Sequence, residues 1–285
     1  MSCSDHPKAQ LQKQNLQPRR QLGQNFLLDD GVLYRTAQAV SQNSNNTVLE
    51  WGPGLGALTH YLLECGLQVH AVERDERLLP LLQKRFSSAI KQQQLHLHCG
   101  DARTFNIVAL AQQHPTHRVT LCGNLPYNIA SRLLVRTAQH HQHVQAAFYL
   151  VQKEVGQRVC AQEGNKTYGL LSVLVQVHGQ ARLLYSVPSV AFWPTPKVDA
   201  ALIQWLPYPT QQQPNIQHSF FKTCIQTAFS ARRKKLANTL ASFPHIKKAL
   251  NTLGLEPNVR AEQVCVQDFV RLHQILQAPT PIKSQ

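Results

Sequence analysis

Short apolar runs alternate with amphipathic segments over residues 47–151. The runs predict five buried strands, at 47–51, 68–73, 95–99, 119–123 and 146–151. Apolar positions at helical spacing predict four helices, at about 29–40, 55–65, 76–86 and 132–140. Either Asp29 or Asp30 can cap the first of these helices. Strands that alternate with helices indicate right-handed crossovers, so we expect a mostly parallel α/β sheet covered on both faces.

The pattern changes after residue 151. A helix is predicted at 153–161, followed by two strands at 181–187 and 200–206 that flank a loop at 188–197. The segment PYPTQQQP (207–214) is a Pro- and Gln-rich break, and beyond it the spacing predicts only helices, at 219–230, 234–242, 245–253 and 266–276. We therefore expect a mobile polar arm, an α/β domain, a linker and a helical domain, over residues 1–20, 21–207, 208–214 and 215–285.

Charge is distributed unevenly along the chain. The 285 residues carry 29 Lys+Arg against 15 Asp+Glu, a net charge of +14. Residues 44–110 hold six basic and six acidic side chains, whereas residues 182–260 hold ten basic and two acidic ones. A basic surface of this kind is typical of proteins that bind a polyanion, most often a nucleic acid. A merely solubilising surface is the alternative.

Composition argues against several other classes of protein. No apolar run approaches the ~18 residues of a membrane span, and residues 1–20 lack the apolar core of a secretory signal. The seven cysteines form no CxxC pair, so we expect reduced thiols and a cytoplasmic location. His140, His141 and His143 have no Cys or carboxylate partners at ligand spacing, so we expect no metal site.

A glycine-rich turn, GPGLG (52–56), joins the first predicted strand to its helix. Ligands bind at this position in open α/β sheets because backbone N–H groups and the helix N-terminus converge there. The turn lacks the Lys-Ser/Thr of a phosphate-binding loop, which disfavours a nucleoside triphosphatase. Glu50, just before the turn, would repel a pyrophosphate but suits a cofactor that carries an ammonium or sulfonium group.

Two more carboxylates follow at the ends of the next strands. Glu73 ends the second strand, where a carboxylate commonly accepts hydrogen bonds from ribose hydroxyls. Asp101 follows the third strand in CGDA, placed to contact an adenine amino group. Three acids at the ends of consecutive strands, on the same sheet edge as the glycine-rich turn, predict S-adenosylmethionine as the cofactor.

The tetrapeptide NLPY (124–127) follows the fourth strand. The N6 amine of adenine is a poor nucleophile because its lone pair is delocalised into the ring. The side-chain oxygen of Asn124 and the backbone oxygen of Leu125 can each accept one amino hydrogen, and Pro126 disfavours a helical conformation at Leu125. Tyr127 offers a ring on which the base can stack. The motif predicts methylation of adenine N6; an ordinary strand-to-loop turn is the alternative.

Nine segments together resemble the KsgA/RsmA-type ribosomal RNA small-subunit adenine dimethyltransferases, in order over roughly residues 21–276. They are QLGQNFL (21–27), EWGPGLGALT (50–59), GDARTF (100–105), GNLPYNIAS (123–131), QKEVGQR (152–158), YGLLSV (168–173), FWPTPKVDAAL (192–202), TAFSARRKKLANTL (227–240) and LGLEPNVRAEQVCVQDF (253–269). Departures are few: Trp51 stands where Ile or Val is usual, and Ala130 and Ala200 stand where Ser is common.

This resemblance implies a Rossmann-like class I S-adenosylmethionine-dependent methyltransferase domain with a small C-terminal all-helical domain. It implies N6,N6-dimethylation of two adjacent adenosines in the loop of the 3′-terminal hairpin of 16S rRNA, within the assembling 30S subunit or its precursor, and a role in ribosome biogenesis. We expect a cytoplasmic monomer without membrane or metal. The macrolide-resistance methyltransferases of large-subunit rRNA are the nearest alternative, and an assembly factor whose methylation is secondary is another.

The resemblance also assigns residues. Catalysis is assigned to Asn124, Leu125, Pro126, Tyr127 and Phe192, with Phe192 stacking on the second face of the adenine. Cofactor binding is assigned to Asn25, Leu27, Glu50, Gly52, Gly54, Glu73, Asp101, Ala102 and Asn124. Contacts with RNA phosphates are expected from a basic helix and its neighbours, namely Lys197, Lys222, Arg232, Arg233, Lys234, Lys235, Lys247 and Lys248.

Overall fold

Nine strands form two sheets in the computed structural model, which describes residues 6–277. They are β1 Phe26–Leu27, β2 Thr47–Trp51, β3 Gln68–Glu73, β4 Leu95–Cys99, β5 Val119–Asn124, β6 Val144–Gln152, β7 Gly179–Val187, β8 Phe192–Trp193 and β9 Ala200–Pro207. The larger sheet has the order β4-β3-β2-β5-β6-β9-β7, and β1 pairs with β8 in a separate two-stranded sheet.

The five strands β4, β3, β2, β5 and β6 are parallel neighbours, and β9 runs antiparallel to β6. The strand order changes direction beside β2, because β3 and β4 lie on one side of it and β5 lies on the other. Ligands bind at such a switch point, outside the carboxyl ends of the strands. The structure thus confirms the predicted α/β fold and places the glycine-rich turn at the switch point.

Thirteen α-helices occur in the described residues. They are α1 Pro7–Gln12, α2 Asp30–Gln42, α3 Ala57–Glu64, α4 Leu79–Arg85, α5 Ser87–Lys91, α6 Ile107–Gln112, α7 Ala130–Gln139, α8 Lys153–Cys160, α9 Leu170–Gln176, α10 His218–Ala228, α11 Leu236–Thr239, α12 Ile246–Thr252 and α13 Val266–Gln277. Asp29 caps α2, because its Oδ1 accepts a hydrogen bond from the N–H of Val32 at 2.9 Å. None of these helices is long and apolar enough to cross a membrane.

The chain divides into two compact units. The first comprises Met1–Gly156 and Gln180–Pro207, and the second comprises Gln157–Gly179 and Tyr208–Gln285. The division after residue 207 agrees with the Pro-rich break, but residues 157–179 cluster with the C-terminal helices instead of the α/β domain to which the sequence division assigned them. Residues 1–5 of the predicted arm and 278–285 of the predicted helical domain lie outside the described residues.

Part of the predicted N-terminal arm is helical in the structure. Residues 7–12 form α1, and Leu11 is only 2% exposed because it packs against Phe26, Leu55 and Leu78. Only Pro7 and Leu11 are buried in this six-residue helix, too few positions to show a periodic pattern, which is why the sequence did not reveal it.

The basic segment of the second unit is also not the helix that the resemblance implied. Residues 232–235 lie in a turn between α10, which ends at Ala228, and α11, which begins at Leu236. Arg232 donates hydrogen bonds to the Glu262 side chain at 3.0 Å and to the Lys166 carbonyl at 2.7 Å. These bonds hold Arg232 in an irregular connection, and all four basic side chains of the turn are exposed.

Four histidines lie together beside β3 and β4. His70 is 6% exposed, and its ring stacks on that of His96 at 4.5 Å between centroids. Its Nδ1 lies 3.1 Å from Nε2 of His98, and the His114 ring packs edge-on at 5.9 Å. Burial and the neighbouring histidines lower the pKa of His70 to about 3, and the pKa values of His98 and His114 are lowered by the same two causes.

This cluster should make the protein sensitive to mild acid. The unfolded chain binds a proton at His70 near the ordinary histidine pKa of 6.5, whereas the folded chain does so only near pH 3. The stability that depends on a neutral His70 is therefore complete above pH 6.5 and is lost as the pH falls toward 3, by about 1.4 kcal/mol per pH unit for each such proton. Urea unfolding between neutral pH and about pH 5 should show this slope. The change of unfolding free energy with pH should be smaller in His70→Gln and the same as in the wild type in the exposed control His245→Gln. If this pH dependence is equal in the two variants, His70 is not its cause.

Candidate active site

A cavity in the first unit opens at the carboxyl ends of β2, β3, β4 and β5. Its wall contains every residue that the sequence assigned to the cofactor, and all but one of those assigned to catalysis. The wall is built from the segment 22–27, the glycine-rich turn, the ends of β2, β3 and β4, and the residues after β5. Pro7 of α1 also lines it. Residues that are far apart in the sequence therefore meet in one site.

The glycine-rich turn is held against β3 by main-chain and side-chain hydrogen bonds. Gly52 N–H donates to the Val72 carbonyl at 2.9 Å, and Gly54 N–H donates to Oε2 of Glu73 at 3.0 Å. Gly54 has φ +60°, and a Cβ there would lie 3.1 Å from Cε1 of Phe26. Glycine at this position thus allows both the left-handed backbone and the close approach of Phe26 from β1.

Glu73 is 5% exposed at the end of β3. Its Oε1 accepts a hydrogen bond from Asp75 N–H at 2.7 Å, while Oε2 binds Gly54. Burial raises the pKa of Glu73, and the backbone hydrogen bonds oppose that rise. Each carboxylate oxygen has a second lone pair, so both oxygens can still accept hydrogen bonds from the hydroxyl groups of a ligand.

Glu50 is 2% exposed and has no cationic partner among the side chains that the structure describes. Thr59 Oγ1 donates to its Oε2 at 2.6 Å. Burial raises the pKa of Glu50 to about 7, with a smaller contribution from the charge of Glu73. A buried carboxyl without a counter-charge suits a ligand that brings a cation, since the cation would favour the ionised form.

Asp101, in the loop after β4, is strongly ionised. Arg103 Nε donates to Oδ1 at 2.9 Å and to Oδ2 at 3.0 Å, and the Arg74 guanidinium lies 3.5 Å away. The hydrogen bonds from Arg103 are the main cause that lowers the pKa of Asp101 to about 2. Asp101 therefore presents a fixed negative acceptor to the cavity at neutral pH.

Asn124 has a fixed orientation at the end of β5. Its Nδ2 donates to the carbonyl of Asn25 at 2.7 Å, which leaves Oδ1 as a hydrogen-bond acceptor. Leu125 N–H donates to the Leu150 carbonyl at 2.9 Å, and no described residue donates to the Leu125 carbonyl. Pro126 leads into α7, because its carbonyl accepts from Ala130 N–H at 3.0 Å. Two hydrogen-bond acceptors, the Oδ1 atom of Asn124 and the carbonyl oxygen of Leu125, thus lie on adjacent residues.

The Tyr127 ring lines the cavity, and its hydroxyl is buried without a hydrogen-bond partner among the described residues. Burial raises the pKa of this phenol, and the nearby charge of Asp199 raises it further. The hydroxyl is therefore a neutral donor at physiological pH, available to a ligand that enters the cavity.

Phe192 does not reach the cavity, in contrast to its expected place on the adenine. It is 1% exposed in the hydrophobic core, and β8 pairs it with Leu27 of β1. Its neighbour Trp193 packs on Phe26 with ring centroids 6.2 Å apart. The β1–β8 pairing directs the Phe192 side chain into the core, where it packs instead of lining the cavity.

Trp51, the main departure from the family pattern, is accommodated by a buried hydrogen-bond chain. Its Nε1 donates to the Tyr149 hydroxyl at 3.3 Å, and that hydroxyl lies 2.8 Å from Oγ1 of Thr137. Thr137 itself donates to the Leu133 carbonyl at 2.9 Å, so Tyr149 must donate to Thr137. The sequence does not predict this series of hydrogen bonds, because the residues that form it are far apart in the sequence.

The residues expected to bind RNA are all exposed. Lys197 follows β8 in the first unit, and the other seven belong to the second unit. Within residues 6–277, no group of His, Cys, Asp and Glu side chains is arranged to hold a metal ion.

Comparison with known proteins matches nearly the whole chain to one family. The family profile described as "Ribosomal RNA adenine dimethylase" matches residues 15–278. Three similar proteins are each named "Ribosomal RNA small subunit methyltransferase A". The one from Thiobacillus denitrificans is 36% identical over 88% of this chain and 95% of its own length. Those from Pseudomonas syringae pv. tomato and Ralstonia nicotianae are 37% and 38% identical, over 89% and 93% of this chain and 92% of each relative.

Two solved structures have a similar fold. A dimethyladenosine transferase from Plasmodium falciparum matches with a TM-score of 0.68 and 22% identity, over 87% of this chain and 95% of that one. The 23S rRNA methyltransferase ErmE matches with a TM-score of 0.65 and 21% identity, over 88% of this chain and 99% of that one. At these identities the likeness establishes the class I methyltransferase fold and does not separate the two activities.

Proposed function

The chain belongs to the ribosomal RNA adenine dimethylase family and is a ribosomal RNA methyltransferase, and from this premise we propose its reaction in detail. It uses S-adenosylmethionine to form N6,N6-dimethyladenosine at two adjacent adenosines, in the loop of the 3′-terminal hairpin of 16S rRNA. Its substrate is the assembling 30S subunit or its precursor, and it acts as a monomer in the cytoplasm. The names of the similar proteins support the small subunit over the large one.

The orientation of Asn124 is the single observation that carries this proposal. The bond from Nδ2 to the Asn25 carbonyl leaves Oδ1 free to accept one hydrogen of the adenine amino group, and the Leu125 carbonyl accepts the other. Holding both hydrogens turns the N6 lone pair out of the ring plane, which makes it nucleophilic. Tyr127 stacks on the base and holds it in this position. No strong base is needed, because an alkylated N6 loses its proton readily to water.

The cavity residues fit the proposed methyl donor. S-adenosylmethionine, when bound, supplies an electrophilic methyl group on a sulfonium. Glu73 accepts the ribose hydroxyls, while Asp101 and the Ala102 backbone hold the adenine ring. Glu50 faces the cationic end, and Gly52 and Gly54 admit the donor close to the backbone. Asn25 and Leu27 close the cavity beside Asn124, which contacts both donor and target.

Transfer of labelled methyl groups tests this assignment. Purified protein is incubated with labelled S-adenosylmethionine and either unmethylated small subunits or naked large-subunit rRNA. We expect incorporation into small subunits that approaches four methyl groups for each subunit, two for each adenosine, and little into large-subunit rRNA. The opposite preference would support the macrolide-resistance activity, and binding without incorporation would support an assembly factor.

Binding to the small subunit should depend strongly on salt. Exposed Lys and Arg side chains that neutralise phosphates release counterions, so affinity falls steeply between about 50 and about 200 mM salt. The double variant Lys234→Gln/Lys235→Gln should lower both the affinity and the salt slope, by about one unit of slope for each phosphate that is no longer neutralised. Which adenosines are modified should not change.

A matched pair of exposed lysines provides the control. Lys84 and Lys91 lie on α4 and α5 of the first unit, in the charge-balanced part of the chain. Replacing both with glutamine removes the same charge as the Lys234→Gln/Lys235→Gln variant. It should leave the dependence of subunit affinity on salt unchanged. Filter binding across a salt series measures both variants. If the two pairs behave alike, the turn at 232–235 does not bind RNA and only the net charge matters.

A further inference from the structure

The loop after β4 folds into a single tight turn. The N–H groups of Thr104 and Phe105 both donate to the Asp101 carbonyl at 3.0 Å, and Arg103 N–H donates to Oδ1 of Asp101 at 2.9 Å. Such a turn leaves carbonyl groups at its far end without main-chain partners. The Ala102 carbonyl is one of these, and the Phe105 carbonyl accepts one main-chain hydrogen bond, from Ile107 N–H at 3.1 Å, so its second lone pair is open to another donor.

Arg136 of α7 binds both carbonyls. One terminal nitrogen of its guanidinium donates to the Ala102 carbonyl at 2.9 Å, and the other donates to the Phe105 carbonyl. The planar fork of a guanidinium fixes the two acceptors relative to each other, which the single ammonium of lysine cannot do equally well. Burial lowers the pKa of Arg136, and the charges of Tyr149 and Asp101 oppose that change.

Helix α7 is connected to the rest of the site in two other ways. It begins directly after the catalytic tetrapeptide, where Ala130 N–H donates to the Pro126 carbonyl. Thr137, next to Arg136, accepts from Tyr149, which in turn binds Trp51 at the entry to the glycine-rich turn. The Trp51 ring also packs edge-on against Phe105 at 5.8 Å. One helix therefore contacts the loops proposed to bind the donor and the loop proposed to bind the target base.

We propose that Arg136 is a positioning residue for the methyl donor: by holding the Ala102 and Phe105 carbonyls, it fixes the loop so that the Asp101 carboxylate and the Ala102 N–H face the adenine of the donor. This inference rests on the proposed function, since it assumes that the cavity binds an adenosyl group. Arg136 touches neither donor nor target, and its effect passes through the 101–105 loop.

Donor affinity and base discrimination test the proposal together. Isothermal titration measures binding of S-adenosylhomocysteine and of S-inosylhomocysteine, in which a carbonyl oxygen replaces the adenine amino group. The wild type should prefer the adenosyl compound, because Asp101 accepts from an amino group and repels a carbonyl. Arg136→Met should weaken S-adenosylhomocysteine binding about tenfold, as expected when hydrogen bonds to a charged group are removed, and should shrink the preference. Arg136→Lys keeps one hydrogen bond and should be intermediate.

Kinetics and a control variant separate positioning from general stability. In Arg136→Lys the KM for S-adenosylmethionine should rise, while the KM for small subunits and the kcat at saturating donor stay near wild type. The control Arg132→Met, exposed on the same helix, should bind both compounds like the wild type. A lower melting temperature in Arg136→Met and Arg136→Lys with unchanged preference for the adenosyl compound would overturn the proposal. Failure of the wild type to bind S-adenosylhomocysteine would instead overturn the proposed function.

Discussion

Replacing Asn124 with alanine should lower methyl transfer by about 100- to 1,000-fold, the loss seen when a group that stabilises a transition state is removed. The variant loses the Oδ1 acceptor for one amino hydrogen, so the N6 lone pair stays delocalised into the ring. It also loses the bond to the Asn25 carbonyl, which is local to the cavity. Binding to small subunits should stay close to wild type, because the phosphate contacts are made elsewhere. Single-turnover methylation and filter binding measure the two properties.

Asn106→Ala is the matched control for Asn124→Ala. Asn106 caps α6, where its Oδ1 accepts from Ala109 N–H at 3.0 Å, and it does not line the cavity. Losing this cap costs about 1 kcal/mol of stability. The control should therefore unfold at a lower urea concentration and still transfer methyl groups at the wild-type rate. If Asn124→Ala retained more than about a tenth of the wild-type rate, its assigned role would be wrong.

Gly123→Ala should damage both the fold and the site. Gly123 has φ +152°, and a Cβ there would lie 2.5 Å from the Trp51 carbonyl oxygen in the neighbouring strand. That carbonyl is backbone at the centre of the sheet, so the clash is relieved only by moving β5 away from β2. We expect a loss of about 3 kcal/mol in the free energy of unfolding. Since Asn124 is the next residue, methyl transfer should fall as well, even where the protein is still folded.

Gly66→Ala separates steric clash from backbone strain. Gly66 has φ +76°, but a Cβ there would meet no atom within 4 Å. Replacement by alanine should lower the free energy of unfolding only by the strain of a left-handed backbone at a residue with a Cβ, about 1–2 kcal/mol. The kcat should be unchanged. Urea unfolding and methylation assays compare the two variants. Equal losses of stability would show that the clash with Trp51 is not the reason for glycine at position 123.

The fold was predictable from the sequence where elements are long and periodic. The strands β2, β3 and β4 begin and end where the sequence predicts, and α2 begins directly after its predicted cap. Short helices were not predicted, because α5 and α6 have five and six residues and show no hydrophobic periodicity. Helix α9 was not predicted for another reason. It lies in an apolar run, Leu170–Gln176, whose pattern does not separate a buried helix from a strand.

Many residues that line the cavity could be named from the sequence, but the contacts among them could not. Acids at strand ends converge because parallel strands share one carboxyl edge, a consequence of topology alone. The bond from Asn124 to Asn25 joins residues 99 positions apart, and the Arg136 contacts depend on how α7 packs. Phe192 differs, because the pairing of β8 with β1 buries its side chain in the core although its motif was recognised. The direction of such a side chain depends on tertiary packing, which one sequence does not encode locally.

We expect this chain to dimethylate two adjacent adenosines near the 3′ end of small-subunit rRNA. Mapping N6,N6-dimethyladenosine in small subunits from cells that lack the protein tests it most directly. Cells are then resupplied with the wild type or with Asn124→Ala. Both adenosines should be unmodified without the protein, dimethylated after return of the wild type, and unmodified with Asn124→Ala. Dimethylation that persists without the protein, or that returns with Asn124→Ala, would contradict it.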